Sequence, residues 1–363
     1  MAAGFLQRER IVAPPGWSRW LIPPAALSIH LAIGQAYAWS VFKTPLESTL
    51  LEGNPSAGVL SALPFTLGII MLGLSAALFG TKVDANGPRW AMVVSTICFV
   101  SGFLISAAGT ALGQYWLVVV GYGFVGGIGL GIGYISPVST LIKWFPDRPG
   151  LATGIAIMGF GGGALIASPL TTQLLGAFGG SGPEAASGGI AQTFLVMGLI
   201  YAVFMSVGWL LIRVPAEGWK PAGWEPAEQK AGSLISTANV SAANAIKTPQ
   251  FWLLWVVLCF NVTAGIGILE RASPIYQDFF PDASSPAALT AAAGGFVAIL
   301  SLANAIGRIL WSSVSDLVGR KNMYRLYLGA GALLYLALTL TTNGNKVVFL
   351  ICALLILSFY GAG

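Results

Sequence analysis

Nine apolar runs long enough to cross a bilayer, and a tenth that opens near the end, recur along this 363-residue chain. No other feature limits its fold so strongly. A spanning helix needs about 20 mostly apolar residues. In lipid the backbone finds no water to bond, so such runs must be helices packed on one another. They fall near 20–42, 58–80, 91–112, 115–141, 151–176, 192–212, 250–269, 288–311 and 324–342, with the last opening at Val347. Composition agrees. The chain is 56% hydrophobic and 9% charged, against about 25% charged in soluble domains, too few charges to clothe a water-soluble surface of this size. The expectation is an all-α polytopic membrane protein with six spans, a long polar loop, and four more.

The N-terminus does not read as a cleaved signal. Arg8, Arg10, Arg19, Pro14 and Pro15 precede a run too long for a signal sequence, with no small-residue cleavage site. At the other end the tenth run stops at Gly363, short of a full crossing, and the reading is of a C-terminal bundle cut short of twelve spans. With the N-terminus inside, cytoplasmic segments hold 14 of the 18 Lys and Arg residues, as the positive-inside rule requires. Lys43, Arg271 and Lys346 fall outside and Arg308 within a span. The pI near 9.2 is therefore topology, and no nucleic-acid partner is expected.

Two loops repeat. Gly80, Asp84, Gly87 and Arg89 follow the second run, and Ser312, Asp316, Gly319, Arg320 and Lys321 follow the eighth, with Asp84 and Asp316 232 residues apart. The shared form, G-x-x-x-D-x-x-G-x-[RK], suits a tight turn between helices. Glycines make the turn, Asp accepts from a neighbouring helix N-terminus, and the basic residues face the cytoplasm. Ser312 in place of the first glycine would loosen the second turn. The motif resembles that of the major facilitator superfamily, which implies two pseudo-symmetric helical bundles around a central cavity. It also implies a gating rather than substrate-binding role for Gly80, Asp84, Gly87, Arg89, Asp316, Gly319 and Arg320. The expected units are 1–213, a cytoplasmic loop over 214–249, and an incomplete bundle over 250–363.

Longer strings narrow the resemblance. They are Gly34 to Phe42 with Tyr37 and Trp39; Lys143 to Gly154 with Trp144, Pro146 and Asp147; Thr248 to Trp255; and Gly307 to Asp316. Together they resemble the oxalate/formate antiporter family, which implies exchange of small organic anions.

Arg308 is the leading candidate for the substrate residue. It lies eight residues before Asp316, about 12 Å into the bilayer at 1.5 Å per residue, where a charge is costly and functional by default. The span interiors offer it no acid, so a ligand carboxylate can pair with its two-pronged fork; the alternative is a structural arginine bonded to carbonyls or snorkelling. The resemblance also places a substrate arginine here, and Tyr37, Tyr134 and Phe160 at cavity-lining positions. It implies a second cation, a lysine late in the C-terminal half, beyond Gly363. Phe160 lacks the hydroxyl often found there, and Ala36 stands where glutamine can occur. His30, one heptad before Tyr37 and on nearly the same face, relays a proton, bonds the substrate, or packs. Glu270 and Arg271 read as a solvated interfacial pair.

Other signals reduce to packing. Gly121, Gly123 and Gly126 match G-x-G-x-x-G, but without a preceding strand this is no dinucleotide site. Gly123, Gly127 and Gly131, and the Gly159–Gly163 cluster with Pro169, suit close helix approach and rocking. Cys98, Cys259 and Cys352 are scattered, and neither metal nor other cofactor is expected.

The expectation is thus a secondary transporter of small organic anions in the cell (plasma or inner) membrane, a monomer whose partners are substrate and lipid. Proton-coupled monocarboxylate transport, with His30 or Glu270 titrating, is the alternative. A transporter-like sensor is a minor one, disfavoured by a loop too short for an output domain. A membrane enzyme would need a polar cluster the chain lacks. If the orientation is right, single cysteines at Ser187 and Ser233 label from opposite faces of intact cells. Labelling of both from outside would overturn it.

Overall fold

Helix starts are written locally. Proline, which lacks a donor the first turn cannot use, opens the helices Pro88–Ala111, Pro149–Phe178, Pro249–Phe279 and Pro286–Val318. Thr248 and Ser285 cap two of these by accepting from the backbone N–H groups of Phe251 (3.4 Å) and Ala288 (3.2 Å). The computed structural model describes residues 4–179, 183–225, 240–281, 285–340 and 345–362. Ser233 and Lys230 lie outside the described residues, as do Gly363 and the side chains of Ser187 and Asp316.

In chain order the membrane elements are α1 (Arg19–Ala38 with Ser40–Glu47), α2 (Ala57–Asn86), α3 (Pro88–Ala111), α4 (Tyr115–Trp144), α5 (Pro149–Phe178) and α6 (Pro183–Leu211). After the polar segment come α7 (Pro249–Phe279), α8 (Pro286–Val318), α9 (Arg320–Leu340) and α10 (Lys346–Ala362). Eight are long and apolar enough to cross a membrane, nine if α1 counts as one span, and α10 is a shorter apolar helix. The described residues form no sheet. Large side chains such as Leu78, Val203, Leu253, Leu254 and Phe260 are exposed, as lipid-facing surfaces require.

Two helices are irregular. α1 tightens to a 3-10 turn over Gly34–Ala38 and bends by 43°. There the Gly34 backbone lies against that of Phe160 and Gly163 on α5, an approach no side chain would permit. α4 widens to a π-helix over Val119–Gly126, where Gly121 meets Gly102 of α3 and Gly123 meets Pro64 of α2. Gly127 and Gly131 continue this crossing along α2, against Gly68 and Leu72.

The repeated loops need one correction. Gly87 and Gly319 have φ of 90° and 91°, the left-handed region that favours glycine, and each makes its turn alone. Gly80 and Ser312 lie inside helices, so serine at 312 loosens no turn. Asp84 is exposed and makes no hydrogen bond to a helix N-terminus among the described residues. Arg89 is not a solvent-facing loop cation either. It is buried, donates to the carbonyls of Trp209 (3.0 Å) and Leu210 (3.4 Å) at the end of α6, and reaches Phe5 O (3.3 Å). A cation belongs at a helix C-terminus, where carbonyls lack partners. Beside it, Ala13 N donates to Val214 O and Val214 N to Ile11 O, both at 2.9 Å. Arg320 begins α9 and is exposed.

Nearby, Arg19 grips Asp147 with both terminal nitrogens (2.6 and 3.0 Å) and lies 4.7 Å from the Phe145 ring centroid. That hydrogen-bonded pair holds the Asp147 carboxyl below its ordinary range, so its contribution to stability is present above the usual carboxylate pKa and is lost as pH falls through the lowered one.

The α1–α5 crossing gives a test. A Cβ at Gly163 would meet Leu31 O at 2.7 Å as well as the Gly34 backbone, whereas Gly176 on the same helix faces open space. Gly163→Ala should lower the Tm of purified protein by overpacking worth about 1–3 kcal/mol. Gly176→Ala should leave Tm unchanged or raise it through helix propensity. Equal effects would refute the close crossing.

Candidate functional site

α5 is the spine of the site, because its glycines let α1 approach on one side and α8 on the other. On the α8 side, Ser301 Oγ donates to Gly161 O (2.7 Å) and accepts from Leu165 N (2.9 Å), and Ser168 Oγ donates to Gly294 O (2.7 Å). A Cβ at Gly161 would strike Asn304 Oδ1 at 2.6 Å and Arg308 Nε at 2.7 Å. The missing side chain at 161 is the room in which the Arg308 side chain lies.

Arg308 is buried, with 8% of its surface exposed. Its Nε donates to Asn304 Oδ1 at 2.9 Å, and the guanidinium interacts with the hydroxyl groups of Tyr134, Tyr37 and Tyr360. It joins none of the ion pairs among the described residues. Around it, the Tyr37 and Phe160 rings lie 4.9 Å apart, Tyr134 and Phe160 5.1 Å, and His30 and Tyr134 5.5 Å. All five residues expected from the sequence, Arg308, Tyr37, Tyr134, Phe160 and His30, thus converge on one place. His30 is fully buried. One ring nitrogen faces the Ala156 carbonyl, and the other lies 3.0 Å from that of Tyr134. It ties α1 to α5 and α4 through backbone, so its packing contacts are evident.

Three participants were missed from sequence. Tyr360 on α10 pairs its hydroxyl with that of Tyr37 (2.7 Å); nothing local marks it. Asn304 stands four residues before Arg308, a spacing that places both on one helix face, and that signal was available. Lys43 was counted only among the outside charges, without a partner. It is fully buried and pairs with Glu270 of α7, which is 17% exposed. This corrects the Glu270–Arg271 pairing: the partner of Glu270 is across the interface between the two sets of helices, where it is sheltered from water.

A bundle of membrane helices around a buried cation and a ring of tyrosines defines a class, the polytopic transporters. The particular family follows from comparison. The Major Facilitator Superfamily model matches residues 18–363, and the chain belongs to that family, so it is a multi-pass membrane transporter of small substrates and not an enzyme. It is 28% identical over 352 residues to the oxalate:formate antiporter of Oxalobacter formigenes, covering 95% of this chain and 74% of that one. It is 26% identical over 373 residues to apicoplast pyruvate carrier 1 of Toxoplasma gondii, covering 83% and 68%. The partially occluded inward-open xylose transporter XylE from E. coli shares its fold, with TM-score 0.64 at 15% identity over 94% of this chain and 84% of that one.

Proposed function

We propose that the chain exchanges small carboxylates by alternating access, with Arg308 holding the carboxylate. The observation that carries this reading is a buried guanidinium without an acidic partner among the described residues, faced by tyrosine hydroxyls. Arginine stays charged in any plausible environment, so a ligand anion is its natural complement. The Tyr37 and Tyr134 hydroxyls bond the remaining oxygens, and Phe160 excludes water. The resemblance to an oxalate:formate antiporter supports exchange. The pyruvate carrier relative favours the second reading, proton-coupled monocarboxylate transport, with His30 or Glu270 titrating. Efflux of a labelled carboxylate with and without an opposing anion gradient separates the two.

In this reading the units 1–213 and 250–363 rock about the site, joined by a cytoplasmic loop over 214–249, in a monomer with its N-terminus in the cytoplasm of a plasma or inner membrane. The motif residues Gly80, Asp84, Gly87, Arg89, Asp316, Gly319 and Arg320 gate that movement, with Gly87 and Gly319 making the turns between their helices. On the opposite side, Lys43 and Glu270 close the outer path. Lys43 follows Tyr37 by six residues, about 9 Å along a helix.

Two outcomes follow. Arg308→Lys keeps charge but loses the paired fork, so carboxylate affinity of purified protein should fall about 10–100-fold. Arg308→Ala should abolish binding while the protein remains abundant and folded; unchanged affinity would defeat the anion site. Separately, Glu270→Gln strands a buried lysine, a change worth about 3–5 kcal/mol, and should favour parting of the halves on the outer side. A cysteine at Ser273, buried three residues on, should then label several-fold faster with an impermeant reagent when the native cysteines are replaced. An unchanged rate would remove this pair as a gate.

A further inference from the structure

We propose that Asn304 determines substrate specificity, donating a hydrogen bond to an oxygen on the carbon next to the bound carboxylate. The inference rests on the reading of Arg308 as the carboxylate site and goes on to name the feature selected in the rest of the ligand.

Asn304 is fully buried. Its Oδ1 accepts from Arg308 Nε at 2.9 Å, which fixes the amide, because flipping it would set one donor against another. The Nδ2 group is therefore turned away from Nε, and it has no hydrogen-bond partner among the described residues. The amide is held in place on both sides. A Cβ at Gly161 of α5 would lie 2.6 Å from Oδ1, and one at Gly361 of α10 would lie 2.8 Å from it. A rigidly held, buried amide donor with nothing to bond is costly unless a ligand supplies the acceptor.

The chemistry of that acceptor is constrained by its neighbour. Arg308 is one helical turn along the same face, so a carboxylate on its guanidinium brings the adjacent ligand carbon toward Nδ2. An oxygen on that carbon accepts the bond. 2-Oxo acids and vicinal dicarboxylates carry such an oxygen; acetate and formate do not. Because the partner of Arg308 is a neutral amide, the guanidinium keeps its charge for the ligand. A site built to donate to a ligand oxygen discriminates sharply against analogues without it.

The test is equilibrium binding of acetate and glyoxylate to the purified full chain. Wild type should bind glyoxylate at least about tenfold more tightly than acetate. Asn304→Ala and the nearly isosteric Asn304→Leu should each lose about tenfold for glyoxylate and less than about threefold for acetate. Equal losses for both ligands would reduce Asn304 to a support for Arg308 and overturn the proposal. So would a wild-type protein that binds the two alike, a result that needs no variant to fold. Failure of the carboxylate site itself reads differently, as affinities for both ligands that Arg308→Ala leaves untouched.

Discussion

A cation held among helices, away from water and without a carboxylate partner among the described residues, has to be supported by everything around it. Arg308 has its Nε on an amide and three tyrosine hydroxyls about its guanidinium. Those groups come from α1, α4, α8 and α10, so four helices must meet at one level. Two of the tyrosines also bond each other, which links α1 to α10 across the site. Desolvation of the charge is what makes this convergence necessary, since every polar contact it lacks is a contact water cannot replace.

The convergence is possible because backbones come close. α5 carries glycines toward α1 and toward α8, and at Gly34, Gly161 and Gly163 a single methyl group would collide with a neighbour. In lipid there is little hydrophobic force to draw helices together, so short backbone distances and interhelical hydrogen bonds such as Ser301 to Gly161 supply the attraction. The α5–α8 contacts among them join helices from the first six spans and from those that follow. They are small and mostly neutral, whereas Lys43 and Glu270 form a discrete ion pair.

Much of this was legible in the sequence, because membranes impose simple rules. Apolar run length gave ten helical segments, and the depth of Arg308 with its lack of an acidic partner pointed to the site. Aromatic positions carried by family resemblance fell beside it. What sequence could not yield was pairing between distant segments. Lys43 and Glu270 are 227 residues apart, and each looks like an ordinary charge near a helix end. Arg89 reads as a cytoplasmic cation until the end of α6 is seen beneath it. The turn glycines were half legible: Gly87 and Gly319 make the turns, while Gly80 reads as a turn residue only because the helix is taken to stop six residues early. Asn304 had a usable signal in its spacing from Arg308, yet an amide in an apolar run attracts less notice than a charge.

The short ladder between Ile11–Ala13 and Val214 changes the mechanics of the first six helices. It joins the segment entering the bundle to the segment leaving it, and Arg89 rivets both the end of α6 and Phe5 to the start of α3. Entry and exit are thereby fastened into one hoop. A pull transmitted along the following segment at Pro215 thus meets these bonds before it reaches α6. The polar segment that follows therefore leaves from a point held by both ends of the six-helix stretch.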